Sequence, residues 1–257
     1  MSRTLLAPPP AAAPLGERTV TTAGWACAAR LGPTVSRTPA TVLRVPDRPA
    51  REGADGLEIA AWSPTCELGW SGRRPATVLL QGCAWQCAAC PTPLLRDPMV
   101  GGAVPWAEVR AGLLGGASAD GDTAGVDAVV LSGGEPTRQD GLVAALMQLR
   151  ELGLATGLRT SGAYPQRLAA VLPLVDRLWL DIKAPAGLYR AATGAGASAH
   201  KAFASLRLAL DAGVELQVRT VADPQLLGPA DLAELARHLH DLGVRDHVIE
   251  AARPAEG

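Results

Sequence analysis

Three cysteines lie close together in the segment Leu79–Pro91, which reads LLQGCAWQCAACP. Cys83, Cys87 and Cys90 follow a strand-like apolar run at C-x3-C-x2-C spacing, and thiolates placed this way around a common centre suit soft iron or zinc sites. A structural zinc site normally has a fourth Cys or His ligand, but this loop has none, and the next histidine, His200, lies more than 100 residues downstream. A 4Fe-4S cluster held by three cysteines would instead leave one iron open for chemistry.

A glycine-rich turn is the second candidate for chemistry. The segment Ser132–Thr137 reads SGGEPT and follows a predicted strand. Its two glycines let the backbone approach a ligand closely and expose main-chain polar groups to it. Taken alone, such a turn is an ordinary connection between a strand and a helix, and its position after the cysteine segment is what makes it significant.

An acid and a base stand two residues apart at the end of another predicted strand. Asp181 and Lys183, in the segment DIKAP, are expected to point to the same face, where they can address a sugar hydroxyl and a carboxylate respectively. An ion pair on the surface is the alternative. Arg219, on the next predicted strand, is expected either to reach a ligand or partner or to pair with Asp181.

These motifs together resemble the radical S-adenosylmethionine (SAM) superfamily. Cys83, Cys87 and Cys90 match its cluster motif, which implies a 4Fe-4S cluster whose open iron is chelated by the amino and carboxylate groups of SAM. Gly133–Pro136 match the GGEP motif, which implies that a backbone carbonyl and Glu135 hold the ammonium group of SAM. The resemblance also implies a partial-barrel fold.

One branch of the superfamily is matched further. Four segments resemble activators of glycyl radical enzymes: DIKAP, the Y-x-x-x-T-G pattern of Tyr189–Gly194, the segment QVRTV of Gln217–Val221, which is similar to an R-T-x-V stretch of that branch, and the closing Ala252-Arg253-Pro254. They are similar above all to the activating protein of anaerobic ribonucleoside-triphosphate reductase. The cofactor-binding residues expected on all these grounds are Ala89, Gly133, Gly134, Glu135, Pro136, Ser161, Asp181, Lys183 and Arg219.

The chain also departs from this branch at several positions. Ala89 stands where an aromatic residue usually precedes the third cysteine, and Pro91 replaces the histidine that commonly follows it. The segment RTSG, which begins at Arg159 and includes Ser161, replaces the usual DTNG. An arginine therefore takes the place of an aspartate that contacts ribose, and the substrate is expected to differ from that of the well-known activators.

Composition limits the remaining classes of protein. The chain has 257 residues and a net charge of −1, which provides no basic field for nucleic acid. It contains no apolar run of about 18 residues that could span a membrane, and an odd number of cysteines does not form a paired disulfide framework. The sequence therefore predicts a soluble protein of a reducing cytoplasm that binds neither nucleic acid nor membrane.

The chain divides into two predicted regions. Residues 1–55 are rich in Pro and Ala and are predicted to be a mostly disordered extension, in which Cys27 has no catalytic role. Residues 56–254 are predicted to form the catalytic domain, an α/β fold. Six predicted parallel strands, the third of which spans Ala155 to Thr160, alternate with helices, which indicates an incomplete (β/α)6 barrel. Asp140 is predicted to cap the helix that follows the second strand. Cys66 is a candidate for a fourth cluster ligand. The alternative is that it is a small buried apolar residue, which is more common for a lone cysteine.

The resemblance implies a definite reaction. A reduced 4Fe-4S cluster would cleave SAM to methionine and a 5'-deoxyadenosyl radical, which would take a hydrogen atom from a glycine of a partner enzyme such as an anaerobic ribonucleotide reductase. A flavodoxin- or ferredoxin-like protein would supply the electron. The alternatives are a radical SAM enzyme for a small molecule, similar to 7-carboxy-7-deazaguanine synthase, and a non-catalytic iron-sulfur or zinc module.

Overall fold

The computed structural model describes residues 53–64, 70–115 and 125–252. Cys27, Cys66 and the Arg253-Pro254 ending therefore lie outside the described residues, as does most of the predicted extension. The predicted domain boundary stays a prediction.

One sheet organises the described residues. Its seven strands are β1 Ile59–Ser63, β2 Pro75–Leu80, β3 Ala128–Gly133, β4 Ala155–Thr160, β5 Arg177–Asp181, β6 Glu215–Ala222 and β7 His247–Ala251. They stand in chain order, with β2 to β7 parallel and β1 antiparallel to β2. The six parallel strands confirm the predicted (β/α)6 arrangement. Among the described residues no strand joins β7 back to β1, so the barrel is incomplete.

Helices follow five of the strands and cover one face of the sheet. They are α1 Trp106–Gly115, α2 Leu142–Glu151, α3 Pro165–Val171, α4 Tyr189–Thr193, α5 Ser198–Ala212 and α6 Pro229–Asp241. Alternate strand residues such as Val129 and Leu131 pack into the main core with α2 residues such as Leu146. Because side chains alternate along a strand, Ala128 and Val130 point to the opposite, inner face.

A small apolar cluster fills part of that inner face. It consists of Trp70, Ala128, Val130 and Trp179, and we call it the inner cluster. The two indole rings meet edge to face with centroids 5.5 Å apart. Gly157 makes room for them, because a Cβ there would lie 2.8 Å from Trp179 and 2.9 Å from Trp70. Because the inner cluster fills the other part of the interior, the cavity of the partial barrel lies at the carboxyl ends of the strands.

Two local differences from the sequence prediction bear on the site. Strand β3 extends to Gly133, so Ser132 and Gly133 belong to the strand and only Gly134 begins the turn. The prediction that Asp140 caps α2 is wrong, because Gly141 occupies the N-cap position. The carboxylate of Asp140 instead pairs with Arg167 at 2.7 Å, which directs it toward α3.

Candidate active site

The carboxyl ends of β2 to β5 surround one cavity that is partly open to solvent. Eight of the predicted site residues line it, namely Cys83, Cys87, Cys90, Gly133, Gly134, Ser161, Asp181 and Lys183. Four predicted cofactor-binding residues do not line it, namely Ala89, Glu135, Pro136 and Arg219. The sequence prediction did not include the other lining residues, Thr77, Leu79, Trp85, Pro91, Thr92, Ser132, Arg159 and Thr160.

Main-chain hydrogen bonds to neighbouring segments hold the cysteine loop. The amide of Cys83 donates to the carbonyl of Arg96 at 2.9 Å, and that of Gln86 donates to Thr193 at 2.9 Å. The guanidinium of Arg96 returns a hydrogen bond of 3.2 Å to the carbonyl of Cys87. The loop is therefore fixed by groups outside it, on the segment that follows it and on α4.

The buried side chain of Trp85 also anchors the cysteine loop. It is only 3% exposed and packs edge to face against Tyr189 of α4, with ring centroids 5.9 Å apart. Tyr189 is fully buried and its hydroxyl accepts a hydrogen bond from the amide of Lys183 at 3.2 Å. The two aromatic rings thus connect the cysteine loop to the end of β5, where the predicted acid and base lie.

All three cysteines are free thiols that are partly buried. Burial raises the pKa of Cys83 to about 11 and raises that of Cys87 as well, where nearby Lys183 opposes the shift. Metal ligation requires the thiolate, so binding of iron to these residues would release protons. Among the described residues no three His, Cys, Asp or Glu side chains converge on a position for a single ion. The ligands of a multi-iron cluster bind different irons and need not converge in this way.

The carboxylate of Glu135 is turned into the protein. It is fully buried, and both of its oxygens accept hydrogen bonds from neighbouring groups. Oε1 accepts from the amide of Thr137 at 3.1 Å and from the hydroxyls of Thr137 and Thr160, each at 2.6 Å. Oε2 accepts from the amide of Ser161 at 2.9 Å and from its hydroxyl. Glu135 therefore ties the turn after β3 to the end of β4, and its contact with SAM stays a prediction.

The predicted acid and base lie side by side in the cavity wall. Lys183 Nζ donates to Asp181 Oδ2 at 2.7 Å, and Arg159 Nε lies 3.6 Å from Asp181 Oδ1. These side chains are only 12 to 16% exposed, so this is a buried ion group and not the surface pair considered as an alternative. Arg219 reaches across to Glu250 of β7 with a hydrogen bond from Nη2.

The charges in this group stabilise each other. Burial alone would raise the pKa of Asp181, but Arg159, Lys183 and Arg219 outweigh it and hold that pKa below its usual range. Burial alone would lower the pKa of Lys183, and Asp181 reverses that shift and raises it. Both groups are therefore charged at neutral pH, and Arg159 and Lys183 together leave the cavity wall with one positive charge more than Asp181 balances.

Comparison with known proteins gives matches to solved structures alone, since no family profile and no curated protein sequence matches the chain. SuiB from Streptococcus suis bound to S-adenosylmethionine is 15% identical with a TM-score of 0.51, covering 68% of this chain and 38% of that one. SuiB bound to its precursor peptide SuiA is 17% identical with a TM-score of 0.53, covering 67% and 38%. The protein anSMEcpe with bound AdoMet is 15% identical with a TM-score of 0.52, covering 67% and 49%.

These neighbours are radical SAM enzymes. The chain spans between about two fifths and half of the length of these SuiB and anSMEcpe chains. Among the described residues no helix is both long and apolar enough to cross a bilayer. At this level of identity the likeness concerns the fold, and the described residues have the partial-barrel fold of radical SAM enzymes.

Proposed function

We propose that the protein is a radical SAM enzyme that binds a 4Fe-4S cluster and SAM in the cavity at the strand ends. The observation that carries this proposal is that Cys83, Cys87 and Cys90 line one cavity together with the Gly133-Gly134 turn. Solved structures of the same fold contain S-adenosylmethionine, which supports the choice of ligand. When bound, the reduced cluster would supply one electron to the SAM sulfonium, giving methionine and a 5'-deoxyadenosyl radical that takes up a hydrogen atom.

Each part of the site has a task in this reaction. The three cysteines would ligate three irons and leave the fourth for the amino and carboxylate groups of SAM. The strand end at Gly133-Gly134 has no side chains, so main-chain groups can approach the ligand. Asp181 and Lys183 would hold polar groups of SAM, and the buried ring of Trp85 would help to keep water from the radical.

We propose further that the hydrogen donor is a polypeptide, namely a glycine of a partner enzyme, so that the product is a glycyl radical and 5'-deoxyadenosine. The DIKAP and Y-x-x-x-T-G segments support this proposal through their resemblance to such activators. Two neighbours of the same fold are solved with peptides, SuiB with SuiA and anSMEcpe with a Kp18Cys peptide. A flavodoxin- or ferredoxin-like protein would deliver the electron in a reducing cytoplasm.

The experiment that tests the enzyme class is SAM cleavage under anaerobic conditions. After reconstitution with iron and sulfide and reduction with dithionite, the wild type should convert SAM to 5'-deoxyadenosine, measured by chromatography. Cys87→Ala should reduce this product at least a hundredfold, because a cluster ligand is lost. Cys27→Ala, a change at a cysteine outside the motif, is the matched control and should keep the wild-type rate.

Two outcomes would contradict the proposal. A wild-type protein with a properly formed cluster that produced no 5'-deoxyadenosine even with candidate partner enzymes present would point to a non-catalytic iron-sulfur module. Equal product from Cys87→Ala and the wild type would show that the motif does not hold the reactive cluster. The same assay on Cys66→Ala decides whether that residue contributes a ligand.

A further inference from the structure

The inner end of the cavity carries a hydroxyl group that has no assigned role. Thr77 lies on β2, is 2% exposed, and lines the cavity. Its Oγ1 has no hydrogen-bond partner among the described residues. An unbonded buried hydroxyl is costly, since water has been removed without a replacement. Such a group calls for an explanation, and in a cavity a bound ligand can supply the missing partner.

The position of Thr77 separates it from the residues proposed for the cluster and SAM. It precedes the end of β2 at Leu80 by three residues, or about 10 Å along a strand. Cys83 and Gly133 lie at or beyond the level of that strand end, where Leu80 pairs with Gly133. Thr77 instead pairs with Val130 of the inner cluster, so its hydroxyl lies at the bottom of the cavity.

The neighbouring residues define the chemistry of this region, which we call the cavity floor: Thr77, Leu79, Ser132 and Arg159, all of which line the cavity. Leu79 pairs with Ser132, two residues beyond Val130, and Arg159 pairs with Trp179, so these residues border the inner cluster. A guanidinium can only donate hydrogen bonds, whereas the two hydroxyls can either donate or accept, so all three groups can donate to the same ligand atom. The cavity floor therefore favours an oxygen atom that accepts hydrogen bonds.

We propose that the cavity floor binds the hydrogen donor, and that Thr77 Oγ1 donates a hydrogen bond to a carbonyl oxygen of the polypeptide substrate. This inference rests on the proposed function, because a glycine within a polypeptide is flanked on both sides by peptide carbonyls. The hydroxyl would position the peptide group next to the reacting glycine, below the site for SAM. Thr77 is then a substrate-binding residue and takes no part in holding the cluster.

The test measures binding of a defined probe rather than turnover. N-acetylglycine N-methylamide, a single glycine with a peptide group on each side, is titrated into the reconstituted, unreduced protein in the presence of SAM, and its binding is followed by saturation-transfer NMR. Thr77→Val keeps the shape of the side chain but removes the hydroxyl, and should weaken binding about tenfold, the value of one buried hydrogen bond. Thr77→Ser keeps the hydroxyl and should restore binding to within about twofold.

A matched control separates this effect from general damage to the fold. Thr220 is also fully buried on a strand, but its Oγ1 already donates to the carbonyl of Ile182 at 2.8 Å. Thr220→Val should leave probe binding unchanged and lower the melting temperature. Thr77→Val should raise the melting temperature of the protein without ligand, because it removes a buried hydroxyl that has no hydrogen-bond partner.

Several results would overturn the inference. The first is that the probe does not bind to the wild type, and the second is that the wild type and Thr77→Val bind it equally well. The third is that Thr77→Val loses as much affinity for SAM as it loses for the probe. Tighter Thr77-dependent binding of N-acetylglycine, which ends in a carboxylate, would show that the floor takes an anion instead of a peptide carbonyl. If the probe bound in a Thr77-dependent way but SAM was not cleaved, the proposed function would be wrong and this subsite would stand. If SAM was cleaved but the probe did not bind in this way, the proposed function would stand and this subsite would be wrong.

Discussion

The GGEP motif predicts that Glu135 contacts a ligand, but in the structure its side chain bonds to other protein groups. Its carboxylate is fully buried and accepts hydrogen bonds from Thr137, Thr160 and Ser161, while Thr160 and Ser161 themselves line the cavity. The charge is thus stabilised by several neutral donors at once. We infer that Glu135 sets the distance between the turn after β3 and the end of β4.

We therefore expect Glu135→Gln to destabilise the cluster-free protein by about 2 kcal/mol or more, since an amide places a donor where donors already converge. Urea unfolding followed by circular dichroism measures this change. Glu151→Gln replaces an exposed glutamate at the end of α2 and should alter stability by less than about 0.5 kcal/mol. If the two variants were equally stable, the hydrogen bonds of Glu135 would have no structural weight.

At the scale of elements, the end of β3 depends on close contact with β2. Gly133 has a φ of +109°, and a Cβ there would lie 2.4 Å from the backbone nitrogen of Leu80. Gly134 is as restricted, because its Cβ would lie 2.3 Å from the carbonyl oxygen of Gly82, at the start of the cysteine loop. The glycines thus bring the turn directly against the end of β2 and the start of the cysteine loop.

Gly133→Ala should accordingly cost more than about 3 kcal/mol of folding stability, because both the backbone of Leu80 and the positive φ oppose a side chain. Gly153→Ala is the matched control. It also has a positive φ, +75°, but no atom lies within 4 Å of the added Cβ. Gly153→Ala should therefore lose only the conformational cost of about 1 kcal/mol in folding stability. Chemical denaturation of both cluster-free proteins gives the comparison, and equal losses would refute the steric explanation.

Strand β7 makes the stability of the protein sensitive to mild acid. His247 is partly buried, its Nε2 lies 2.9 Å from Thr220 Oγ1, and burial lowers its pKa from 6.5. Above pH 6.5 both the folded and the unfolded states hold a neutral ring, and the full stability is present. As the pH falls below 6.5 the unfolded state takes up the proton first, so stability is lost, by at most about 1.4 kcal/mol per pH unit.

Replacement by a residue that does not titrate should remove this part of the pH dependence. We expect the melting temperature of His247→Gln to fall less between pH 7 and pH 5 than that of the wild type. His200→Gln, at an exposed position of α5, should show the wild-type slope. Parallel melting curves for the wild type and His247→Gln would mean that this histidine titrates alike in both states.

For the whole molecule, the sequence predicted the repetitive part of the fold well. The apolar segment at β4 matches the prediction from Ala155 to Thr160, because parallel strands buried on both faces leave a clear pattern. The eight predicted residues that line the cavity all follow from motifs at strand ends. Sequence alone gave no sign that β1 would pair antiparallel with β2, since pairing direction depends on how distant segments meet.

The residues that the prediction missed have a common physical reason. Thr77 lies in the middle of a strand, where a threonine is ordinary, and only the three-dimensional structure shows that its hydroxyl lacks a partner and lines the cavity. The ion pair between Arg159 and Asp181 joins residues of two strands, and no local sequence pattern predicts it. Pro91 and Arg159 stood out in the sequence only as departures from the activator pattern. Trp85 also gave a local signal, an aromatic residue inside the cysteine motif, and the structure accounts for it by the contact with Tyr189.

The anchoring of the cysteine loop has a consequence for how the protein depends on iron. Small zinc domains unfold without their metal because the ion itself holds their loops together. Here main-chain hydrogen bonds to Arg96 and Thr193, and the packing of Trp85, hold the loop, while the core of the protein is built from other segments. If the protein binds a cluster as we propose, the chain can therefore fold before the cluster is inserted. Iron supply would then set the fraction of folded molecules that are active.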